Sequence, residues 1–244
     1  MRNFKAILFD MDGTLLPMDM KTFTEGYFKF LCVKLAPFGI GPEKLIAAVW
    51  EGVNAMVKND GSVKNEAVFW KRFEEVTGYK VNQEIVDTCQ EFYGKEFHQA
   101  KQFTGENPLA VEAVKAARVA APIVALATNP LFPMAGQKTR MSWIGLKAED
   151  FDLVTSYESD TFCKPNPAYF ISVCERLGVK PEECLMIGND EGEDMYAASL
   201  AGIKDCYLVT DTMIPNPKHP WDGPKGTFSE MVEMLKNLFQ KDTK

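Results

Sequence analysis

Several residues and motifs are scarce in this 244-residue sequence, and each scarcity excludes a class of site. Only two histidines are present, His98 and His219, too few to favour a histidine-nucleophile phosphatase or a Ser–His–Asp hydrolase, and we expect both on the surface. No GxSxG nucleophile elbow occurs. The six cysteines form no CxxC pair, so we expect buried thiols in a reducing cytoplasm rather than a zinc site or disulfide framework.

Long runs of one chemical character are missing as well. No stretch approaches the roughly 20 apolar residues of a membrane span, and the apolar run near the N-terminus stops at Asp10, too early for a secretory signal. The net charge is −7 and there is no run of lysine or arginine, so nucleic acid and anionic membranes are not expected as main partners. We therefore expect a cytoplasmic protein with no membrane association.

Two different patterns of apolar and polar residues occur along the chain. Residues 18–104 carry apolar side chains at helical spacing, interrupted by turn residues, which predicts four amphipathic helices in a small bundle. The remainder alternates short apolar strands with helices, which predicts a parallel, doubly wound α/β sheet. Strands are expected from Ala6 to about Asp10 and over residues 122–128, 152–156, 184–187 and 205–209. Helices are expected over residues 108–120, 167–177 and 193–201 and from Thr227 onward.

The helical block interrupts the α/β block just after its first strand. The predicted organisation is an α/β core of residues 1–17 and 105–244 with an inserted helical domain of residues 18–104. Both parts are long enough to bury apolar cores of their own. Because the insert leaves and re-enters the core beside Asp10, it is placed to act as a lid.

Three polar segments follow predicted strands, and the carboxyl ends of parallel strands meet at one edge of a sheet. Asp10 and Asp12 stand at alternate positions, so both can face one pocket. Thr128 and Asn129 end the next strand and offer a hydroxyl and backbone N–H groups to anionic oxygens. Lys164 is the candidate cation in the loops after these strands.

A fourth segment, Gly188 to Asp194, is rich in acids. Asp190 and Asp194 are four residues apart at a predicted helix start and so share one face. A helix N-terminus favours some acidic residues, but this density exceeds what the helix dipole needs. Oxygen-rich clusters of this kind suit Mg²⁺, and a cation would relieve the repulsion between neighbouring carboxylates.

These four segments resemble the motifs of the haloacid dehalogenase superfamily of aspartyl-phosphate hydrolases. DxDGT from Asp10, Thr128, Lys164 and the acidic pair occur in the family's order and approximate spacing, over essentially the whole chain. The helical insert is similar to the cap of the subclass found in many small-molecule phosphatases. In one departure from the pattern, Asn189 stands where the family commonly has Asp, so Glu191 or Glu193 could share the role of Asp190.

The resemblance implies Mg²⁺-dependent hydrolysis of a phosphate monoester of a small metabolite. It implies that Asp10 is the nucleophile and that Asp12 is the general acid and base. It further implies that Thr128, Asn129 and Lys164 contact the substrate. The implied metal ligands are Asp10, Asp12 through its backbone carbonyl, Asp190 and Asp194.

Other functions are also compatible with these residues. A phosphosugar mutase uses the same aspartyl phosphate but returns it to its substrate. A non-enzymatic regulator that only accepts a phosphoryl group also pairs acids with a threonine and a lysine, although it lacks such an insert. Substrate selectivity is expected to come from the insert, where Phe23, Lys58, Trp70 and Arg72 are candidates without an assigned role. The oligomeric state is not indicated.

Overall fold

The computed structural model describes residues 4–240, and within them one parallel sheet forms the centre of the molecule. Its strands are β1 (Ala6–Phe9), β2 (Ile123–Leu126), β3 (Leu153–Val154), β4 (Cys184–Gly188), β5 (Asp205–Val209) and β6 (Lys225–Gly226). They lie in the order β3-β2-β1-β4-β5-β6. The predicted doubly wound α/β fold is therefore confirmed, although the short edge strand β6 was not predicted.

The central position of β1 follows from its sequence. Its four residues are apolar and completely buried, as expected for a strand covered on both faces. Ala6 pairs with Ile123 of β2 on one side and with Cys184 of β4 on the other. The chain therefore places the residues after β1, β2 and β4 side by side at one edge of the sheet.

The insert contains the four expected helices in the described residues. These are α1 (Met20–Leu35), α2 (Pro42–Val57), α3 (Asn65–Thr77) and α4 (Gln83–Gly94), followed by a 3-10 segment at Glu96–Phe103. Asp19 caps α1 and Asn82 caps α4 by accepting hydrogen bonds from backbone N–H groups. Gly78 ends α3 in the left-handed conformation, which agrees with the prediction that turn residues separate the helices of the insert.

The core supplies the remaining helices. They are α5 (Ala110–Ala120), α6 (Met134–Trp143), α7 (Pro167–Leu177), α8 (Ala197–Leu200), which a π-helical turn at Glu191–Tyr196 precedes, and α9 (Phe228–Gln240). A capping box precedes α9: Thr227 N donates to Glu230 Oε2 and Glu230 N donates to Thr227 Oγ1. Helix α6, which connects β2 to β3, was not predicted from the sequence.

The two chain segments that join insert and core run beside each other. Met18 forms an antiparallel bridge with Thr104, and Gly105 N donates to Pro17 O at 2.7 Å. Beyond this junction, α4 packs against α6 of the core, and one apolar cluster continues from the insert into the core. No helix within residues 4–240 combines the length and apolar character that a membrane crossing requires.

Candidate active site

Asp10 and Lys164 form the centre of the candidate site. Asp10 follows β1 directly and is held in line with the sheet by its N–H, which donates to Ile187 O. Its Oδ1 accepts a hydrogen bond from Lys164 Nζ at 2.9 Å, and its Oδ2 accepts one from Thr14 Oγ1 at 3.3 Å. Burial raises the pKa of Asp10, and the positive charge of Lys164 opposes that rise.

Lys164 is completely buried and bridges two acidic segments. Its Nζ also contacts Asp194 Oδ1 at 2.6 Å, so one ammonium joins the loops after β1 and β4. Burial alone would lower the pKa of Lys164, but the negative charges of Asp10 and Asp194 raise it well above its usual value. The lysine is therefore positively charged at neutral pH, as a partner for anionic oxygens requires.

Asp194 and Asp190 shape the turn after β4. Asp194 Oδ2 accepts hydrogen bonds from the N–H groups of Asn189 and Asp190, both at 3.0 Å, so both of its oxygens are engaged. A Cβ atom at Gly188 would lie 2.2 Å from Asp194 Oδ2, which explains the glycine there. Asp190 Oδ1 caps the following helical turn through the N–H groups of Gly192 and Glu193.

Asn189, the departure from the family pattern, has a structural role. Its Oδ1 accepts from Thr14 Oγ1 at 3.0 Å and its Nδ2 donates to Thr212 O at 2.8 Å. Gly13 adopts φ +87° against this amide, where a Cβ would lie 2.3 Å from Nδ2. The amide thus ties the loop after β1 to the loop after β4.

Thr128 and Asn129 lie at the same edge of the sheet and line the same pocket as Asp10. The backbone carbonyl of Thr128 accepts from Thr155 Oγ1 and Tyr169 Oη, while its hydroxyl has no hydrogen bond to any described residue. Asn129 Oδ1 accepts from Lys164 N, and its Nδ2 donates to Glu193 Oε2 at 2.9 Å. Thr128 therefore lines the pocket with a hydroxyl that has no partner among residues 4–240, whereas Asn129 holds the lysine loop.

Of the two further acids considered, only Glu193 faces the pocket. Burial raises the pKa of Glu193 to about 7, with the neighbouring Asp194 adding to the rise and Lys164 opposing it. Glu191 is turned away: its two oxygens accept from the N–H groups of Asn216 and Trp221. Glu191 therefore anchors the segment before β6 and is not part of the site.

Asp12 is paired with a residue that the sequence analysis missed. Its Oδ2 forms an ion pair with Arg140 Nη1 of α6, and its Oδ1 is buried without a hydrogen-bond partner among the described residues. Arg140 is fully buried, donates to Gln137 Oε1 and lies 4.1 Å above the Phe132 ring. Arg140 lies on a helix, whereas the cation predicted from the sequence, Lys164, was expected in a loop after a strand. The available signal for Arg140 was strand–helix alternation, which requires a helix after β2.

The structure also places the histidines, the cysteines and the candidates for substrate selectivity. Both histidines are exposed, and His219 stacks on Tyr196 with ring centroids 3.8 Å apart. All six cysteines are free thiols, and five of them are buried. Among the candidates for selectivity, Phe23 is fully buried, Lys58 is exposed and Arg72 is paired with Glu51 and Glu75. Trp70 lines a cavity, which is described below.

The donor atoms of the pocket suit Mg²⁺. The pocket has a volume of about 180 Å³ and is lined largely by oxygen-bearing side chains. Within residues 4–240, no three His, Cys, Asp or Glu side chains are arranged to hold a metal by themselves. Mg²⁺ typically takes one or two carboxylates and completes its octahedron with waters and substrate phosphate oxygens, so Asp10 and Asp190, which line the same pocket, fit it.

Comparison with known proteins gives the family context of this site. The sequence model of the haloacid dehalogenase-like hydrolases matches residues 4–202. A phosphoglycolate phosphatase from Chromobacterium violaceum is 22% identical over 208 residues, 83% of each chain. A phospholysine phosphohistidine inorganic pyrophosphate phosphatase from Xenopus laevis is 30% identical over 96 residues, and the aligned part spans 38% of this chain and 36% of that protein. A crystal structure of a HAD phosphatase from Thermococcus onnurineus shares the fold, with a TM-score of 0.58, 20% identity and coverage of 95% of this chain and 97% of that one.

Proposed function

This chain belongs to the haloacid dehalogenase-like hydrolase family, and from that premise we propose that it is a Mg²⁺-dependent phosphatase. Its substrate would be a small-molecule phosphate monoester, hydrolysed through an aspartyl phosphate on Asp10. The observation that carries the proposal is the contact of 2.9 Å between Asp10 Oδ1 and Lys164 Nζ at the end of β1. Thr128 and Asp190 line the same pocket, and the phosphatase names of the relatives agree with this chemistry.

Positive charges at the site would allow the Asp10 carboxylate to approach the anionic phosphate group of a substrate. Asp10, Asp190 and Asp194 are negative in their ionised forms, and a phosphate monoester adds nearly two further negative charges. Lys164 supplies one fixed positive charge at the nucleophile. Bound by Asp10, Asp190 and the backbone carbonyl of Asp12, Mg²⁺ would supply two more and so offset the repulsion between carboxylate and phosphate. Asp194 holds Lys164 in place rather than serving as a free ligand.

The first half of the reaction forms a bond between Asp10 and phosphorus. An Asp10 carboxylate oxygen attacks phosphorus in line and the ester P–O bond breaks. The Thr128 hydroxyl and Lys164 bind the phosphoryl oxygens as charge develops on them. Asp12 gives a proton to the leaving alkoxide, and its ion pair with Arg140 holds the carboxyl group in place.

The second half regenerates Asp10. Asp12 removes a proton from a water molecule, and that water attacks the phosphorus of the aspartyl phosphate. The bond between phosphorus and the Asp10 oxygen then breaks and inorganic phosphate leaves. Because Arg140 pairs with Oδ2, it holds the Asp12 carboxyl group in one orientation for both half-reactions.

Replacement of the nucleophile tests the proposal. Asp10→Asn should lower the Mg²⁺-dependent release of phosphate from p-nitrophenyl phosphate by roughly a thousandfold or more, because the amide is a poor nucleophile. Asp222→Asn is the matched control, since Asp222 is exposed in the loop before β6, and it should retain wild-type activity. Normal turnover by Asp10→Asn would refute the assignment of the nucleophile.

The same assay separates the two alternatives. A requirement for a sugar bisphosphate would identify a phosphosugar mutase, which returns the phosphoryl group to its substrate. A wild-type protein that retains phosphate covalently and releases none would identify a phospho-accepting regulator. Steady release of inorganic phosphate without an added bisphosphate supports the phosphatase.

A further inference from the structure

An aromatic cavity lies between the insert helices and the core loop that precedes α6. Its volume is about 90 Å³, whereas one water molecule needs only about 10–15 Å³ by a comparable measure. Side chains of α1, α2, α3 and α4 form most of its lining, together with Leu131, Phe132 and Pro133 of the core. None of the lining residues is Asp, Glu, Lys, Arg or His. The cavity is therefore uncharged and large enough for an organic group.

The walls of this cavity are held by ring contacts rather than by flexible side chains. Phe69 meets Trp70 and Tyr157 edge to face, with centroid separations of 5.1 and 6.2 Å. Phe69 can approach α2 this closely because residue 52 is glycine, whose Cβ position lies 2.5 Å from the Phe69 ring. Burial raises the pKa values of Tyr27 and Tyr157, so their hydroxyls stay neutral at physiological pH.

The cavity adjoins the catalytic pocket. Met20, Leu131 and Phe132 line both, so the aromatic rings lie next to the pocket that contains Asp10. The cavity also shares Met20, Thr24, Phe28 and Trp50 with an outer groove between α1 and α2, where Trp50 is 47% exposed.

We propose that this cavity binds the hydrocarbon part of the substrate, which makes the substrate a phosphate monoester of an apolar alcohol. The inference rests on the phosphatase function proposed above and names its substrate class. Transfer of each methylene from water to such a lining is favourable. A sugar or nucleotide would instead lose hydrogen bonds to water that the lining can replace only in part, because its polar groups are limited to hydroxyls and indole N–H groups, those of Thr24, Tyr27, Tyr93, Tyr157, Trp50 and Trp70.

A series of substrates measures this preference. We expect kcat/KM for n-alkyl phosphates to rise from methyl to hexyl phosphate by up to roughly fourfold per methylene until the cavity is filled. Glycerol 3-phosphate and glucose 6-phosphate should be hydrolysed at least about tenfold less efficiently than hexyl phosphate. Equal kcat/KM values along the series, or a preference for the polyol phosphates, would overturn the inference.

A variant that fills the cavity provides the matching structural test. Val53 lines the cavity from α2, so Val53→Phe should lower kcat/KM for hexyl phosphate about tenfold and leave that for methyl phosphate unchanged. Val33→Phe is the control, because Val33 is 76% exposed on α1 and lies outside the cavity. Thermal unfolding shows whether each variant is folded. Loss of activity toward both esters in a folded Val53→Phe protein would contradict the assignment.

Binding measurements separate this inference from the proposed function. Calorimetry with methylphosphonate and hexylphosphonate, which are not hydrolysed, measures binding to the cavity in the absence of turnover. Tighter binding of hexylphosphonate without hydrolysis of any ester would refute the phosphatase and leave the cavity assignment standing. Hydrolysis of methyl phosphate with no dependence of rate or affinity on chain length would support the phosphatase and show that the cavity is a packing void.

Discussion

The two aspartates after β1 are paired with two different buried cations. Lys164 reaches Asp10 from a loop, and Arg140 reaches Asp12 from α6. Both cationic side chains are completely excluded from solvent, so water and salt screen these ion pairs less than surface pairs. Each acid therefore has its own cationic partner, which suits the different roles proposed for Asp10 and Asp12.

The pairing of Arg140 with Asp12 leads to a prediction about turnover. Arg140→Gln should lower kcat for p-nitrophenyl phosphate about 10- to 100-fold with little change in KM, because Asp12 would no longer be held in one orientation. In an Asp12→Asn background, the same change should cost no more activity, since the group that Arg140 positions is already absent. Steady-state kinetics of the four proteins measure this coupling.

A second ion pair offers the control for that cycle. Arg118 pairs with Asp152 at the partly exposed surface of the core, so Arg118→Gln should leave kcat unchanged. Thermal unfolding of each variant confirms that the proteins compared are folded. If Arg140→Gln lowered kcat by the same factor in the wild-type and Asp12→Asn proteins, Arg140 would act independently of this aspartate.

At the scale of elements, α1 begins directly after the chain leaves the core and depends on one cap. Asp19 Oδ1 accepts a hydrogen bond from Thr22 N at 2.8 Å, and its hydrogen bonds with Thr22 lower the pKa of Asp19 below the usual 3.8. A carboxylate whose pKa is lower in the folded state than in the unfolded state stabilises the folded protein at pH values above its ordinary pKa. That stabilisation is lost as the pH falls through the lower, folded-state value.

Asp19 variants should therefore show a pH-dependent effect on stability. Asp19→Ala should lower the melting temperature at pH 7, and its difference from wild type should shrink as the pH falls below 3.8. Asp19→Asn is the matched control, because asparagine caps helices without titrating in this range, so its advantage over Asp19→Ala should persist in acid. Thermal scans between pH 7 and pH 3 measure both differences. A deficit of Asp19→Ala that stays constant across this range would exclude the ionised cap.

Across the whole molecule, the insert and the core share apolar packing. Trp143 of α6 is only 8% exposed and contacts Phe23 and Phe97 of the insert, with ring centroids 6.2 and 5.4 Å apart. Tyr27 and Tyr93 of the insert contact the core ring of Phe132 in the same cluster. The division at residues 18 and 104 stays a prediction, and this shared cluster indicates that the two parts depend on each other for stability.

Removal of the Trp143 side chain tests that dependence. Trp143→Ala should lower the free energy of unfolding by about 3–5 kcal/mol, the usual cost of truncating a buried aromatic residue. Insert and core should still unfold in one transition, because the variant weakens contacts that both share. Urea unfolding followed by fluorescence and circular dichroism measures both quantities.

A tryptophan outside the shared cluster serves for comparison. Trp221 is half-buried in the segment before β6 and donates its indole N–H to Pro224 O, so Trp221→Ala should cost less stability. Two separate transitions in the wild-type protein, with Trp143→Ala affecting only one of them, would instead show that insert and core are independent domains.

Local patterns were sufficient to predict much of the fold and part of the candidate site. The apolar run from Ala6, the helical periodicity of the insert and the turn residues between elements reflect interactions within a few positions, which a single sequence displays. Because parallel strands end at one edge of a sheet, these patterns also predict that Asp10, Thr128, Lys164 and Asp190 lie close together.

Contacts between distant segments were decided only by the tertiary structure. Arg140 meets Asp12 across 128 positions, and neither residue carries a local signal of the other. The engagement of both Asp194 oxygens, the shared cluster around Trp143 and the aromatic cavity likewise depend on how the helices pack. The physical reason is that periodicity and turn chemistry specify which face of an element is buried, while the partner that buries it is set by packing of the whole chain.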